Sequence, residues 1–206
     1  MMVYKKMNRF KITLFQIIKR LFDFISSLSM LLLLLPVFTI ISLFVKAEDG
    51  GNIFYKHNRI GMNGKKIGIY KLEDVLTPEQ LEEYKKEFKI DNDPRITKIG
   101  DFLRKSSLDE LPQLINILKG ELSVIGPRPI IEPELQMYNE ADRKKFLSVK
   151  PGLTGYWQAY ARNNATYESG ERQKMELYYV EHACVWLDIK ILFKTVISVL
   201  KRDGAK

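Results

Sequence analysis

The chain has 206 residues, 46% of them hydrophobic, which is room for one compact domain with an attachment and hardly for two independent domains. Its formal charge of +8 at pH 7 favours an anionic contact: nucleic acid, a lipid surface or a phosphorylated substrate. The lone Cys184 excludes a disulfide framework and a cysteine-rich metal site, and fits a reducing compartment.

A basic lead-in (residues 1–22) precedes a segment, Phe24 to Val45, that carries no charged residue. That length suffices to cross a hydrocarbon core of about 30 Å as a helix. It is too long for the apolar part of a signal peptide, and no small-residue cleavage site follows. A buried soluble helix is disfavoured because this one is apolar all round. Lys5, Lys6, Arg9, Lys11, Lys19 and Arg20 lie before it, and Lys46, Lys56, Arg59, Lys65 and Lys66 after it, so the charge gives no side preference. Pro36 near its middle removes a backbone donor. A helix that breaks there and returns to its own side and a spanning helix with a tolerated kink both fit.

Glu48 to Asn52 is a turn cluster, after which Ile53–Tyr55 and Lys66–Tyr70 read as a hairpin around Asn63-Gly64. His57 and His182 carry no metal-ligand spacing and read as ordinary surface or packing histidines. Thr77-Pro-Glu-Gln80 opens a polar helix with Leu81, Tyr84 and Phe88 as its stripe. A short amphipathic helix follows Asp93-Pro-Arg95 and ends near Lys105. The next is expected from Leu108 to Lys119, with Gly120 just past its end. Leu122–Ile125 leads into the stiff turn Gly126-Pro-Arg-Pro129. A helix over Pro133–Phe146, the loop Pro151–Gly155 and an amphipathic helix over 186–202 complete the chain. In the last, Ile189, Phe193, Val196, Ile197 and Leu200 share a side, which suits either a membrane interface or the domain core.

The chemistry centres on Ser107-Leu-Asp-Glu110. As a capping box, Ser107 would cap and Glu110 would reach back, with no further role. The same geometry puts Asp109 in a first helical turn, where the dipole favours its ionised form and free N–H groups can receive a phosphate. Arg95, Lys98, Arg104, Lys105 and Arg128 crowd nearby, and Arg128 is pinned between two prolines. No Walker loop, dinucleotide fingerprint, nucleophile elbow or zinc spacing competes. A helix-turn-helix over Ile96–Lys119 would present two carboxylates to bases, which argues against nucleic acid.

Asp93-Pro-Arg-Ile-Thr-Lys-Ile-Gly100, Leu103–Leu114, Asn116–Gly120, Gly126-Pro-Arg-Pro129, Pro151–Gln158, Arg162-Asn163 and Leu187-Asp-Ile-Lys190 closely resemble the bacterial sugar transferases. So does Lys19-Arg-Leu-Phe-Asp23. These are the monotopic phosphoglycosyl transferases that start capsule, exopolysaccharide and glycoprotein glycan assembly. The resemblance implies the catalytic domain without the large extra N-terminal region of longer members. It implies a mainly α fold with a small β-hairpin: a re-entrant membrane helix (23–46) broken at Pro36, then a catalytic domain (47–206) with interfacial amphipathic helices. It places the protein at the cytosolic face of the bacterial inner membrane.

The implied reaction moves a sugar 1-phosphate from a UDP-sugar to polyprenyl (undecaprenyl) phosphate with Mg²⁺, releasing UMP. Asp109 would be nucleophile and magnesium contact, forming a covalent phosphosugar intermediate, and Glu110 would deprotonate or position the acceptor. Arg104, Arg128 and Arg162 match family arginines of the phosphate and nucleotide site. Lipid is an expected partner and nucleic acid is not; downstream glycosyltransferases or a second copy of the chain stay open. Four positions depart from the family pattern. Leu35 stands where many relatives carry serine before the proline, and Glu73 reverses a basic position, leaving Lys71 as the binding candidate there. His57 often corresponds to glutamine and Ala161 to glycine. A non-catalytic membrane module that binds anionic lipid or glycan-assembly partners is the alternative.

Overall fold

The computed structural model describes residues 9–49, 53–72, 100, 102–103, 106, 108–161, 166–167 and 169–200. The polar helix expected from Thr77, most of the helix after Asp93, Ser107, Arg104, Arg162 and Glu73 lie outside the described residues.

Helix α1, Arg9–Asp49, is 41 residues long and contains Pro36 without interruption. The break expected at Pro36 is therefore absent from the helix, although the proline still leaves one carbonyl without its usual N–H partner. Nearby, the Thr39 hydroxyl donates to the Leu35 carbonyl at 3.0 Å. One stripe of α1 faces the domain: Phe15, Asp23, Ser27 and Ile41 are buried, and Leu31 and Leu34 pack on core residues. The other sides expose large apolar side chains, among them Leu21, Ile25, Leu32, Leu33, Leu43 and Phe44.

The Lys19-Arg-Leu-Phe-Asp23 motif bolts this helix to the domain. Lys19 pairs with Asp188 at 2.6 Å. Arg20 donates to the carbonyls of Ile117 and Leu118 at 2.6 and 2.8 Å. Asp23 accepts from the Ser123 hydroxyl at 3.0 Å and the Val124 amide at 2.9 Å. Asp188 also receives the Tyr179 hydroxyl at 2.8 Å. Burial pushes the Asp188 carboxyl above its ordinary pKa, against the opposing pull of Lys19 and Tyr179.

Strands β1 (Phe54–Ile60) and β2 (Lys66–Leu72) form the expected antiparallel hairpin, longer on both sides than the apolar runs suggested. Its turn uses Asn63 (φ 58°) and Gly64 (φ 76°), residue types that accept the left-handed region. Helix α2, Gln113–Lys119, ends at Gly120 (φ 80°), as the sequence predicts. It lies against β2 through Asn116, which is fully buried. Its carbonyl accepts from Tyr70 N–H at 3.0 Å and its amide donates to Gly68 O at 2.8 Å.

Strand β3 (Ser123–Ile125) pairs in parallel with β4 (Gly152–Thr154). The segment holding β4 reads as a loop in sequence because three residues carry no alternation. Close approach explains its glycine: a Cβ on Gly152 would sit 2.1 Å from the Gly126 nitrogen. The helix expected over Pro133–Phe146 is two, α3 (Glu132–Gln136) and α4 (Glu140–Phe146), with Asn139 capping the second through the Asp142 amide at 2.9 Å. Helices α5 (Tyr156–Tyr160), α6 (Glu171–His182) and α7 (Val185–Leu200) follow. Helix α7 buries Ile191 and Asp188, while Trp186, Ile189, Phe193, Val196 and Ile197 stay exposed. Its apolar stripe thus faces outward, and a different edge packs on the domain.

Candidate active site

The carboxylates do not open an α-helix, contrary to the sequence expectation. Leu108–Glu110 form a 3-10 turn, and α2 begins only at Gln113. Pro112 is the reason: inside an α-helix its ring would strike the carbonyl four residues back. The tighter turn closes instead with Leu111 N–H donating to Leu108 O at 3.2 Å. Asp109 and Glu110 therefore stand one tight turn ahead of α2, and the dipole argument for Asp109 weakens accordingly.

Lys71 comes to them from β2. Its ammonium is 2.8 Å from Asp109 Oδ2 and 3.6 Å from Glu110 Oε1. Asp109 is 5% exposed. Arg128 Nη2 lies 3.9 Å from Glu110 Oε1 on the other side. The structure thus brings together Lys71, Asp109, Glu110 and Arg128, while Arg104 and Arg162 lie outside the described residues. Lys71, Glu110 and Arg128 line a cleft with His57, Arg59, Ile69 and Gln113.

The sequence reading took His57 for an ordinary surface or packing histidine and Arg59 for a charge flanking the apolar segment, and the hairpin explains their place in the cleft. Alternate residues of a strand share a face, and the register pairs Tyr55 with Lys71, His57 with Ile69 and Arg59 with Ile67. Once Lys71 faces the carboxylates, Tyr55, His57 and Arg59 must share that side. The His57 Nδ1 and the Tyr55 hydroxyl are 2.9 Å apart, so this histidine is part of the cleft wall rather than a bystander. Arg59 lies 3.8 Å from Glu134. Burial and the neighbouring Arg128 lower its pKa, yet a guanidinium starts so high that it stays charged.

Three cations (Arg59, Lys71, Arg128) thus meet the paired carboxylates at one cleft. Such a site can bind a multiply charged phosphate and hold an oxygen nucleophile beside it. Two carboxylates are also hard oxygen donors of the sort Mg²⁺ takes in ones or twos, with substrate phosphates completing its shell. Among the described residues no group of three or more His, Cys, Asp or Glu could hold a metal without such help.

Known proteins of the same kind bear on this arrangement. The family model "Bacterial sugar transferase" matches residues 14–202. The chain is 46% identical over 201 residues to a UDP-galactose-lipid carrier transferase of Erwinia amylovora, covering 91% of this chain and 41% of that protein. It is 43% identical over 202 residues to an undecaprenyl-phosphate galactose phosphotransferase of Salmonella typhimurium, covering 91% and 41%. It is also 40% identical over 200 residues to the exopolysaccharide production protein ExoY of Rhizobium meliloti, covering 91% and 87%. The chain spans about two fifths of the first two relatives, and the stretch it shares with them contains the whole cleft. With the family model covering both α1 and the cleft, the chain belongs to the bacterial sugar transferases.

Proposed function

We propose that the protein transfers a sugar 1-phosphate from a UDP-sugar to a polyprenyl phosphate at a bacterial membrane. The observation that carries this reading is the contact of one ammonium, Lys71, with both neighbouring carboxylates beside Arg128. Asp109 attacks the sugar-bearing phosphorus, forming an O–P bond as the bond to UMP breaks. Lys71 and Arg128, with Arg59 from β1, offset the charge that the donor phosphates bring to a site already holding two carboxylates. In the second step an oxygen of the polyprenyl phosphate attacks the same phosphorus. It releases Asp109 as a carboxylate and yields the polyprenyl-diphosphate-sugar, with Glu110 taking any proton carried by the acceptor. Arg104 and Arg162 are assigned to the donor phosphates and nucleotide by family resemblance alone. Mg²⁺, held by Asp109 together with donor oxygens, would supply Lewis-acid neutralisation of the phosphoryl charge.

The membrane part of the proposal is that α1 enters the bilayer from the cytosolic side and does not cross it. Contacts with the domain run from Phe15 to Ile41. At ~1.5 Å per residue that is about 40 Å of helix, more than a hydrocarbon core of about 30 Å. A perpendicular span would drag the contacted domain surface into lipid. The outward apolar stripe of α7 adds a second lipid-facing surface. Labelling residues on both flanks of α1 in intact cells should find both on the cytosolic side; opposite sides would refute this.

The catalytic proposal is tested with purified protein, undecaprenyl phosphate, Mg²⁺ and a panel beginning with UDP-galactose and UDP-glucose. UMP release should depend on the lipid phosphate and vanish in Asp109→Asn. Turnover retained in that variant would remove Asp109 as nucleophile, and silence across the panel would favour the non-catalytic alternative.

A further inference from the structure

Behind the cleft, α6 carries a carboxylate that touches none of the groups assigned above except one backbone atom. Glu176 is 1% exposed, and each of its carboxylate oxygens lies 3.2 Å from the Arg128 nitrogen. Pro127 and Pro129 have no N–H, so this is the one amide hydrogen that the Pro127–Pro129 turn possesses. The turn is held at two other points. Gly152 N–H donates to Pro127 O, and Ile60 N–H to Ile130 O, both at 2.8 Å.

The backbone arithmetic of this turn is unusual. Both prolines have fixed φ, and Pro129 also restricts ψ of Arg128. The soft dihedrals left are ψ of Pro127 and φ of Arg128, the two that rotate the peptide plane carrying the Arg128 N–H. Fixing that N–H fixes the plane, and with it the direction in which the Arg128 side chain departs. The anchor is itself braced. Arg172, whose charge attracts Glu176, lies between the Trp157 and Tyr167 rings at 4.1 and 3.9 Å. Its Nη1 is 3.8 Å from Glu134, which also reaches Arg59 at 3.8 Å. A chain of alternating charges, Glu176, Arg172 and Glu134, therefore backs both arginines of the cleft. A buried carboxylate is costly to desolvate, and its contacts with the Arg128 amide and the Arg172 charge offset that cost.

We propose that Glu176 is a positioning residue that aims the Arg128 guanidinium into the cleft by holding the Arg128 amide. The proposal rests on the reading of Arg128 as a donor-phosphate ligand. Two variants separate it from a merely structural role. Glu176→Gln keeps an acceptor for the amide; Glu176→Leu removes it. Glu176→Leu should raise KM for the UDP-sugar about 10-fold, the scale of one charged hydrogen bond, with a smaller change in kcat. Glu176→Gln should stay within about 3-fold of wild type. Combined with Arg128→Ala, Glu176→Leu should add nothing, because its effect passes through the side chain already removed. Multiplying effects in the double variant, or a Gln variant as impaired as Leu, would overturn the proposal.

A readout independent of turnover is exchange of the Arg128 amide, resolved by NMR in detergent. It should be protected in wild type and Glu176→Gln and exposed in Glu176→Leu; equal protection in all three would overturn the proposal. Absence of UMP release by the wild-type protein would instead refute the transferase reading, while the amide experiment would still decide the contact. If Glu176→Leu does not fold, Glu176→Met carries the same predictions.

Discussion

Replacing Lys71 by methionine keeps an unbranched side chain nearly as long and removes the ammonium that joins the two carboxylates. Its effect follows from distances at the site. A phosphorus attacked by Asp109 must come within about 3–3.5 Å of the attacking oxygen. Since Lys71 Nζ is 2.8 Å from Asp109 Oδ2, the phosphoryl group lies at most about 6 Å from the ammonium. One unit charge at about 6 Å and an effective dielectric of about 20 contributes about 3 kcal/mol, or roughly 100-fold in rate. The Lys71 side chain keeps 24% of its exposure, and solvent screening brings the lower bound to about 10-fold. Lys71→Met should therefore reduce kcat/KM for the UDP-sugar by about 10- to 100-fold in a UMP-release assay, and Lys71→Arg by less. A melting temperature close to wild type would show that the loss is chemical. Full turnover in a folded Lys71→Met protein, within about twofold of wild type, would refute the assignment of this ammonium to the phosphate site.

Asp23→Leu should lower stability by about 3 kcal/mol, because it removes a buried acceptor and orphans the Val124 amide and the Ser123 hydroxyl. Thermal unfolding in detergent checks this, and Asp23→Asn, which retains an acceptor oxygen, should lose less. Gly152→Ala should fail to reach the native β3–β4 pairing, since its methyl would collide with Gly126 backbone; soluble, active Gly152→Ala protein would contradict that geometry. Burial raises the Glu176 pKa from 4.5 to about 7, against the opposing charges of Arg172 and Arg128 and with that of Glu134. The folded protein then holds a proton that the unfolded chain has released, so this contribution is full below about pH 4.5 and lost as pH rises through 7. It amounts to at most about 3 kcal/mol, and Glu176→Gln should flatten the decline in melting temperature between pH 5 and 8.

The acidic pair and Arg128 were legible in the sequence because their motifs are contiguous, whereas Lys71 was carried only by family resemblance, in a stretch that departs from the family pattern. The hairpin was legible from Asn63-Gly64. What escaped depends on contacts that local pattern does not encode. Helix α6 buries Arg172, Glu176, Tyr179 and Val180 on one face, a helical spacing in which two of the four are charged. Hydrophobic periodicity therefore fails there, and Glu176 went unnoticed with the helix. Arg59 needed the hairpin register before its side could be known. Pro112 was visible, but the apolar stripe on either side of it favoured one continuous helix over the turn that forms. In α7 the stripe was recognised while its direction was not, because a one-dimensional pattern does not say whether lipid or protein covers a face.

Arg20 grips the last carbonyls of α2, and the opposite end of α2 lies three residues beyond Glu110. Helix α1 and the carboxylates are thereby tied through α2 into one stiff unit. On the proposed function, the depth at which α1 settles among the lipids would set the height of the carboxylates relative to the headgroups. A polyprenyl phosphate held at that same level by its tail would meet them through lateral diffusion alone, a search confined to a plane. Lengthening the anchor would gain no reach. It would shift the reactive layer out of register with the acceptor, so the depth of anchoring in one leaflet becomes a variable of the proposed reaction.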